Sequence, residues 1–207
     1  MPIDLHQFIA VRPHLFHLTA RTNLSSILRE GRIESASRLL HRAGRTELVN
    51  KRRKGHLVVA IDGWKAELRD QAPLHEGNVV LSDGWGFSDL VKSLNDRVFF
   101  WPGKSSGPIP YGVRHFERYK HEDVVVLEIG TDSAMSANSL EARYCRYNSG
   151  SPRCSGGRKS PRGPQTFARA KEFNGTACDV VEVTFEGSFE LPRSGVRVAE
   201  VSEWIER

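Results

Sequence analysis

The sequence predicts an α+β fold, with helices early in the chain and strands dominating later. Leu24, Ile27 and Leu28 recur at helical spacing, and so do Phe87, Leu90, Val91 and Leu94. Short apolar or alternating runs at residues 57–61, 97–101, 124–129 and 179–185 read as strands. No internal repeat and no linker separates these segments, so they are assigned to one domain spanning residues 1–207.

The first strand falls at residues 15–18 and carries His17. Thr22 or Asn23 then serves as N-cap of a helix that Gly31 stops. Residues 35–41 form a short helix with Leu39 and Leu40 facing inward, and residues 57–61 an apolar strand. Residues 66–72 are polar and ambiguous, and Pro73 ends them. Ser88 caps the helix at 87–94. The strand at 97–101 ends in aromatic residues and is closed by Pro102 and Gly103, after which Gly, Ser and Pro make a loop to Pro110. Residues 124–129 are apolar enough for a central strand, and residues 132–138 read as a short connection. In the strand at 179–185, Val181, Val183 and Phe185 share one face and Glu182 points to the other. A last strand at 196–201 leads into a few helical residues.

The 207 residues are 39% hydrophobic and 27% charged, enough to bury a core and unlike a disordered chain. No run of eighteen apolar residues is present, which excludes a membrane-spanning helix, and the first residues lack the basic-then-apolar pattern of a signal peptide. Three cysteines without CxxC spacing argue against a disulfide framework or a zinc ribbon, so a reduced cytoplasm is expected. His14 and His17 lack a third ligand nearby, and no metal is expected.

The net charge of +5 is unevenly spread. Between Ala142 and Lys171 there is no Asp or Glu, but eight cations, including Arg143, Arg146, Arg153, Arg158, Lys159 and Arg162. Gly, Ser and Pro between them predict a loop. Tyr144, Tyr147 and Phe167 are interleaved, a composition suited to neutralising phosphates and stacking bases. The plain alternative is a solvated basic loop. A second basic cluster is Lys51-Arg52-Arg53-Lys54.

Generic catalytic signatures are mostly absent: no GxGxxG after a strand, no GxxxxGK[ST] and no HExxH. Three features carry chemistry. His17, in Phe16-His17-Leu18-Thr19, is either a satisfied core histidine or a site residue. The run Arg97-Val98-Phe99-Phe100-Trp101-Pro102 is either core or the wall of a pocket for a flat heterocycle. Glu182, inside an apolar strand, either faces solvent or faces a cleft where it has a task, because burying it unpaired costs several kcal/mol.

Taken in order, these features resemble the DarT-like branch of the ADP-ribosyltransferase superfamily, and more closely an uncharacterised bacterial family related to it. His17-Leu18-Thr19 with Asn23, Ile27 and Gly31 is similar to the family's opening motif. Arg52 and Arg53 resemble the paired basic residues that follow it. Leu68-Arg69-Asp70-Gln71-Ala72-Pro73-Leu74, the aromatic strand ending in Pro102, Asn148-Ser149-Gly150 and Val181-Glu182-Val183 complete the set, which covers roughly residues 14–190. The chain departs from DarT after the aromatic strand, where Gly103-Lys104-Ser105 follows, and in an insert over residues 77–94.

The resemblance implies a single-domain ADP-ribosyltransferase-like fold: two packed antiparallel or mixed sheets forming an NAD cleft, with helices mostly in the N-terminal half. It implies NAD as co-substrate, with Glu182, Arg52 and Arg53 as catalytic residues. In that likeness His17 orients the cofactor through a ribose hydroxyl, Thr19 helps line the nicotinamide pocket, Leu18 is counted with them as cofactor-binding, and Phe100 and Trp101 wall the nicotinamide. Asn23 either bonds an adenosine hydroxyl or caps its helix, and one of Arg52 and Arg53 neutralises the pyrophosphate. The acceptor is nucleic acid, single-stranded DNA ahead of RNA, gripped by Arg143, Arg146, Arg153, Arg158, Lys159 and Arg162. The alternatives are a protein, small-molecule or RNA-phosphate acceptor, or a catalytically silent nucleic-acid-binding protein. The resemblance also admits an antitoxin or an ADP-ribosyl hydrolase as partner.

Overall fold

The computed structural model describes residues 2–205, so the first residue and the last two of the expected 1–207 domain lie outside the described residues. The elements run in the order α1 (Leu5–Val11), β1 (His14–Ala20), α2 (Arg21–Glu30), β2 (Arg32–Glu34), α3 (Ala36–Arg42), β3 (Leu57–Ile61), β4 (Trp64–Leu68), β5 (Val79–Leu81), α4 (Phe87–Asn95), β6 (Arg97–Lys104), β7 (Gly107–Pro108), α5 (Pro110–Arg118), β8 (Val124–Gly130), α6 (Thr131–Asn138), β9 (Ala142–Cys145), β10 (Ser160–Arg162), β11 (Glu182–Glu186), β12 (Ser188–Glu190), β13 (Val196–Glu200) and α7 (Ser202–Ile205).

The class is α+β, and the main sheet is antiparallel, in the order β13-β8-β1-β6-β11-β9 with β7 paired to β6. Three two-stranded ribbons stand apart from it: β2–β12, β3–β4 and the parallel pair β5–β10. This differs from the expected pair of packed sheets. Among the described residues four of the seven α-helices, α1–α4, lie in the N-terminal half as expected, and α5, α6 and α7 follow residue 109. Residues 131–138, expected as a connection, form α6. Its buried side chains include only Ala134 and Met135 as apolar groups, too small a stripe for periodicity to announce.

Strand alternation sorts the core. Leu15, Phe100, Leu127, Val183 and Phe185 point to one face, where Phe8 of α1 and Met135 of α6 join them. Phe16, Trp101 and Val126 point to the other, against Phe116 of α5 and Trp204 of α7. Local chemistry fixes the helix ends. Asp4 caps α1 by accepting from the backbone of His6 at 2.9 Å, and Ser35 caps α3. Gly31 closes α2 at φ +66°, a left-handed conformation that suits glycine. Two expected caps differ. The N-cap of α2 is Ala20, with Thr22 and Asn23 inside the helix, and α4 starts from Gly86, whose N–H donates to Asp89 rather than to Ser88.

The pairing of β6 changes partner along its length. Residues 101–103 of β6 pair with β1, whereas residues 97–100 pair with β11 on the other edge. The half of β1 from residue 17 onward stays paired to β8 but has no ladder partner on β6. The sheet therefore splits between β1 and β6 just beyond Phe16 and Trp101, and a cavity opens there. Pro102 and Gly103, expected to close the strand, continue it: the strand runs to Lys104, with Gly103 packed so closely on Gly107 that a Cβ would meet its carbonyl at 2.3 Å.

Candidate active site

The cavity has a volume of about 810 Å³, and its wall includes His17 from β1, Trp101 from β6 and Glu182 from β11. Nine arginines reach the wall and no lysine does among the described residues. A planar, permanently charged fork matches the oxygens of a phosphate better than an ammonium does.

Glu182 heads β11, with only 3% of its surface exposed. Its Oε1 accepts from the Ser149 backbone N–H at 3.0 Å and its Oε2 from the Ser149 hydroxyl at 2.6 Å. Burial pushes its carboxyl up to about 7, against the opposing pull of the two Ser149 bonds and the Arg162 charge. Cys145, its register partner on β9, is a buried thiol held well above the ordinary range, first by burial and then by the Glu182 charge.

His17 sits where the sheet splits. Its Nδ1 lies 2.8 Å from the Phe99 carbonyl oxygen, which can only accept, so Nδ1 carries the proton and Nε2 is left as an acceptor. The ring is half-buried at the cavity wall, yet enough protein surrounds it to lower its pKa to about 4. It is neutral across the physiological range.

Arg69, just after β4, sets its guanidinium carbon over the Tyr119 ring, 3.8 Å from its centroid, and its Nη2 donates to Glu122 at 2.5 Å. Its Nε and Nη1 are buried and find no hydrogen-bond partner among the described residues. Tyr119 in turn donates to Asp70 at 3.2 Å. His115 of α5 packs between Trp101 and Tyr119, with ring centroids at 5.4 and 5.1 Å, and burial lowers its pKa to about 3.

Several residues singled out in the sequence stand elsewhere. Arg52 is not on the cavity wall; its Nε and Nη2 are consumed by the carbonyls of Gln71 and Ala72. Arg53 does reach the wall, but its Nε donates to the Arg69 carbonyl at 2.9 Å and its Nη1 to Asn95 at 2.7 Å, and burial lowers its pKa to about 10. Phe100 is fully buried against Phe185 and Phe189 on the far face of the sheet. Alternation gives the cavity Phe99 and Trp101 instead. Leu18 and Thr19 line the cavity. Asn23 lines it too, and neither caps α2 nor is free: it exchanges two hydrogen bonds with the Glu67 backbone, at 2.9 and 2.8 Å, and donates to Thr19.

The basic stretch divides in the same way. Arg146 and Arg153 reach the cavity. Arg143 lies off it, spent on the carbonyls of Leu140 and Ala142. Arg158 and Lys159 are exposed and do not line it. Arg162 also lines the cavity but is 2% exposed; its Nη1 and Nη2 donate to Ser160, Pro161 and Asn148, which fixes the loop, and its buried Nε has no partner among the described residues. Two other carboxylates of the main sheet are outside the cavity: Glu128 pairs with His14 and Arg197, and Glu186 is exposed near Arg143. His115, Tyr119 and the α5 residues Tyr111, Arg114 and Arg118 were not picked out from sequence. The signal for α5 was the spacing of Tyr111, Arg114 and Arg118 behind Pro110 at the first helical position.

Residues 13–202 match the model of a family of unknown function, DUF7002. The chain belongs to this family. No curated protein and no solved structure matches it. The matched span contains every residue of the cavity wall. No helix among the described residues is long and apolar enough to cross a membrane, and no described group of His, Cys, Asp and Glu suits a metal ion.

Proposed function

We propose that this DUF7002 protein is an NAD-dependent ADP-ribosyltransferase that modifies a nucleic-acid acceptor, single-stranded DNA ahead of RNA, and that it acts as a bacterial toxin or phage-defence effector. The observation that carries the reading is the shared cavity of His17 and Glu182, one a neutral acceptor at the split in the sheet and the other a clamped carboxyl poised near neutrality.

In this reading Nε2 of His17 accepts from a ribose hydroxyl of NAD, and Trp101 walls the nicotinamide. The diphosphate goes to Arg69, a cation of the cavity wall packed on Tyr119, with Arg53 holding the Arg69 backbone from behind. Glu182 as carboxylate stabilises the positive charge that develops at the ribose C1′. The bond from C1′ to the nicotinamide nitrogen breaks, and its electron pair leaves with the nicotinamide. The acceptor atom bonds to C1′, and its proton passes to Glu182. Arg146, Arg153 and two tyrosines backed by guanidinium groups, Tyr147 over Arg162 at 4.6 Å and Tyr111 under Arg114 at 4.8 Å, supply charge and stacking for the acceptor. A base inside a duplex is out of reach of such a cavity, which favours single strands.

The test is incubation with NAD labelled in its adenylate phosphate and separate pools of single-stranded DNA, RNA and protein. Label on nucleic acid is the expected result. Label on protein alone overturns the acceptor, nicotinamide release without transfer indicates a glycohydrolase, and no turnover in any pool overturns the reading.

A further inference from the structure

We infer that Ser149, carried on the basic loop between β9 and β10, is a positioning residue that holds the Glu182 carboxylate in its working orientation. The inference rests on the reading of Glu182 as the reacting carboxylate.

Glu182 is enclosed, and the hydrogen bonds it accepts among the described residues both come from Ser149, one to each oxygen. Two bonds to two oxygens leave the carboxylate plane no rotation about its last torsion. Ser149 itself has no exposed surface. It is also held without help from Glu182. Arg162 donates to the carbonyl of the neighbouring Asn148 at 3.0 Å, that same carbonyl accepts from Ser151 at 3.3 Å, and Asn78 donates to Pro152 at 3.1 Å. The turn is therefore built from outside, and its hydroxyl is presented to the glutamate rather than drawn in by it.

The electrostatics agree. Burial alone favours the neutral carboxylic acid, and donors to the charged form oppose it. Of the charged and titratable groups packed around Glu182, Arg162 from β10 favours the carboxylate without a hydrogen bond to it, and Cys145 from β9 is a neutral thiol. The Ser149 bonds are thus the principal force keeping Glu182 ionised. The same loop brings Arg146, Tyr147 and Arg153 to the cavity, so the segment facing the acceptor is also the one that sets the carboxylate.

The experiment compares wild type with Ser149→Ala and Ser149→Cys. It uses two readouts: carbon-13 NMR titration of the Glu182 carboxyl, which needs no turnover, and the pH profile of ADP-ribose transfer. A hydrogen bond to a charged group corresponds to about one to two pKa units. Ser149→Ala should move the Glu182 titration and the acidic limb of transfer upward by that amount, cutting transfer at about pH 6 roughly ten- to hundredfold, with a smaller loss remaining at high pH because only the Ser149 N–H still holds the carboxylate plane. Cysteine fills the same space but donates weakly, so it should keep most of the shift; recovery of the wild-type titration by cysteine would show that volume, not the donor, matters, and would overturn the inference. An unmoved titration in Ser149→Ala overturns it too, as does a moved titration with an unmoved acidic limb. Absence of transfer in wild type overturns the NAD reading alone, because the NMR titration still decides whether Ser149 sets Glu182.

Discussion

Replacing Glu182 by glutamine should remove the activity and, with it, the loss of stability that wild type undergoes between acid and alkaline pH through this carboxyl. Glu182 rises from an ordinary 4.5 to about 7 on folding, because the folded chain buries it. A raised acid pKa means that the unfolded chain loses its proton first, so stability falls as pH climbs from about 4.5 to about 7 and is level above that. At about 1.36 kcal/mol per pKa unit, wild type loses about 3 kcal/mol across this window through Glu182. Glutamine does not titrate. Whatever it gains or loses against Ser149 is the same at every pH and cancels when the difference between the two proteins is compared at pH 4.5 and pH 8.5. For a chain of this length, about 3 kcal/mol corresponds to roughly 6–12 °C in Tm. Thermal unfolding of both proteins at the two pH values is the assay. Relative to the glutamine variant, wild type should lose that many degrees between acid and alkaline conditions. An equal Tm difference at both values would mean that Glu182 titrates like an exposed carboxyl, and a buried group clamped by Ser149 would be the wrong description of it.

Other perturbations probe the remaining walls. Arg69→Lys replaces a planar fork packed on Tyr119 by a point charge; the KM for NAD should rise roughly tenfold or more, a loss of about 1.4 kcal/mol, with Tm little changed. Gly112→Ala places a Cβ 2.7 Å from Pro108 and 2.8 Å from Trp101, so α5 must move off the strand; a loss of about 1–3 kcal/mol should show as a lower denaturation midpoint. Changing Arg146 and Arg153 together to Gln should weaken single-stranded DNA binding and flatten its salt dependence, whereas changing Arg158 and Lys159 should do so far less, measured by anisotropy at several salt concentrations.

Local pattern made much of the framework legible. The apolar run at 57–61 is β3, Gly31 stops α2, and the stripe Leu90, Val91 and Leu94 is the buried face of α4. Periodicity failed where the buried face is small, as in α6, and where a polar strand packs only partly, as in β4. It also could not say which of two adjacent aromatics faces a cavity. Phe99, Phe100 and Trp101 are equally apolar, and only the pairing of β6 with β11 on one edge and β1 on the other assigns them. Charge was misleading for Arg52, Arg143 and Arg162, because a guanidinium in a run of cations reads as a ligand for phosphate, while folding spends its donors on backbone carbonyls. Arg69 and Ser149 were visible only as members of short motifs. Their roles come from contacts with Tyr119 and Glu182, fifty and thirty-three positions away, which no window of sequence displays.

Calorimetric titration of the purified chain with NAD tests the shared cavity most directly. Saturable binding should be present in wild type, kept within a few-fold in Glu182→Gln, and strongly weakened in His17→Ala, since the histidine acts on the bound dinucleotide and the glutamate on its reaction. No heat of binding in wild type, or binding indifferent to His17, would contradict a dinucleotide seat between these two side chains.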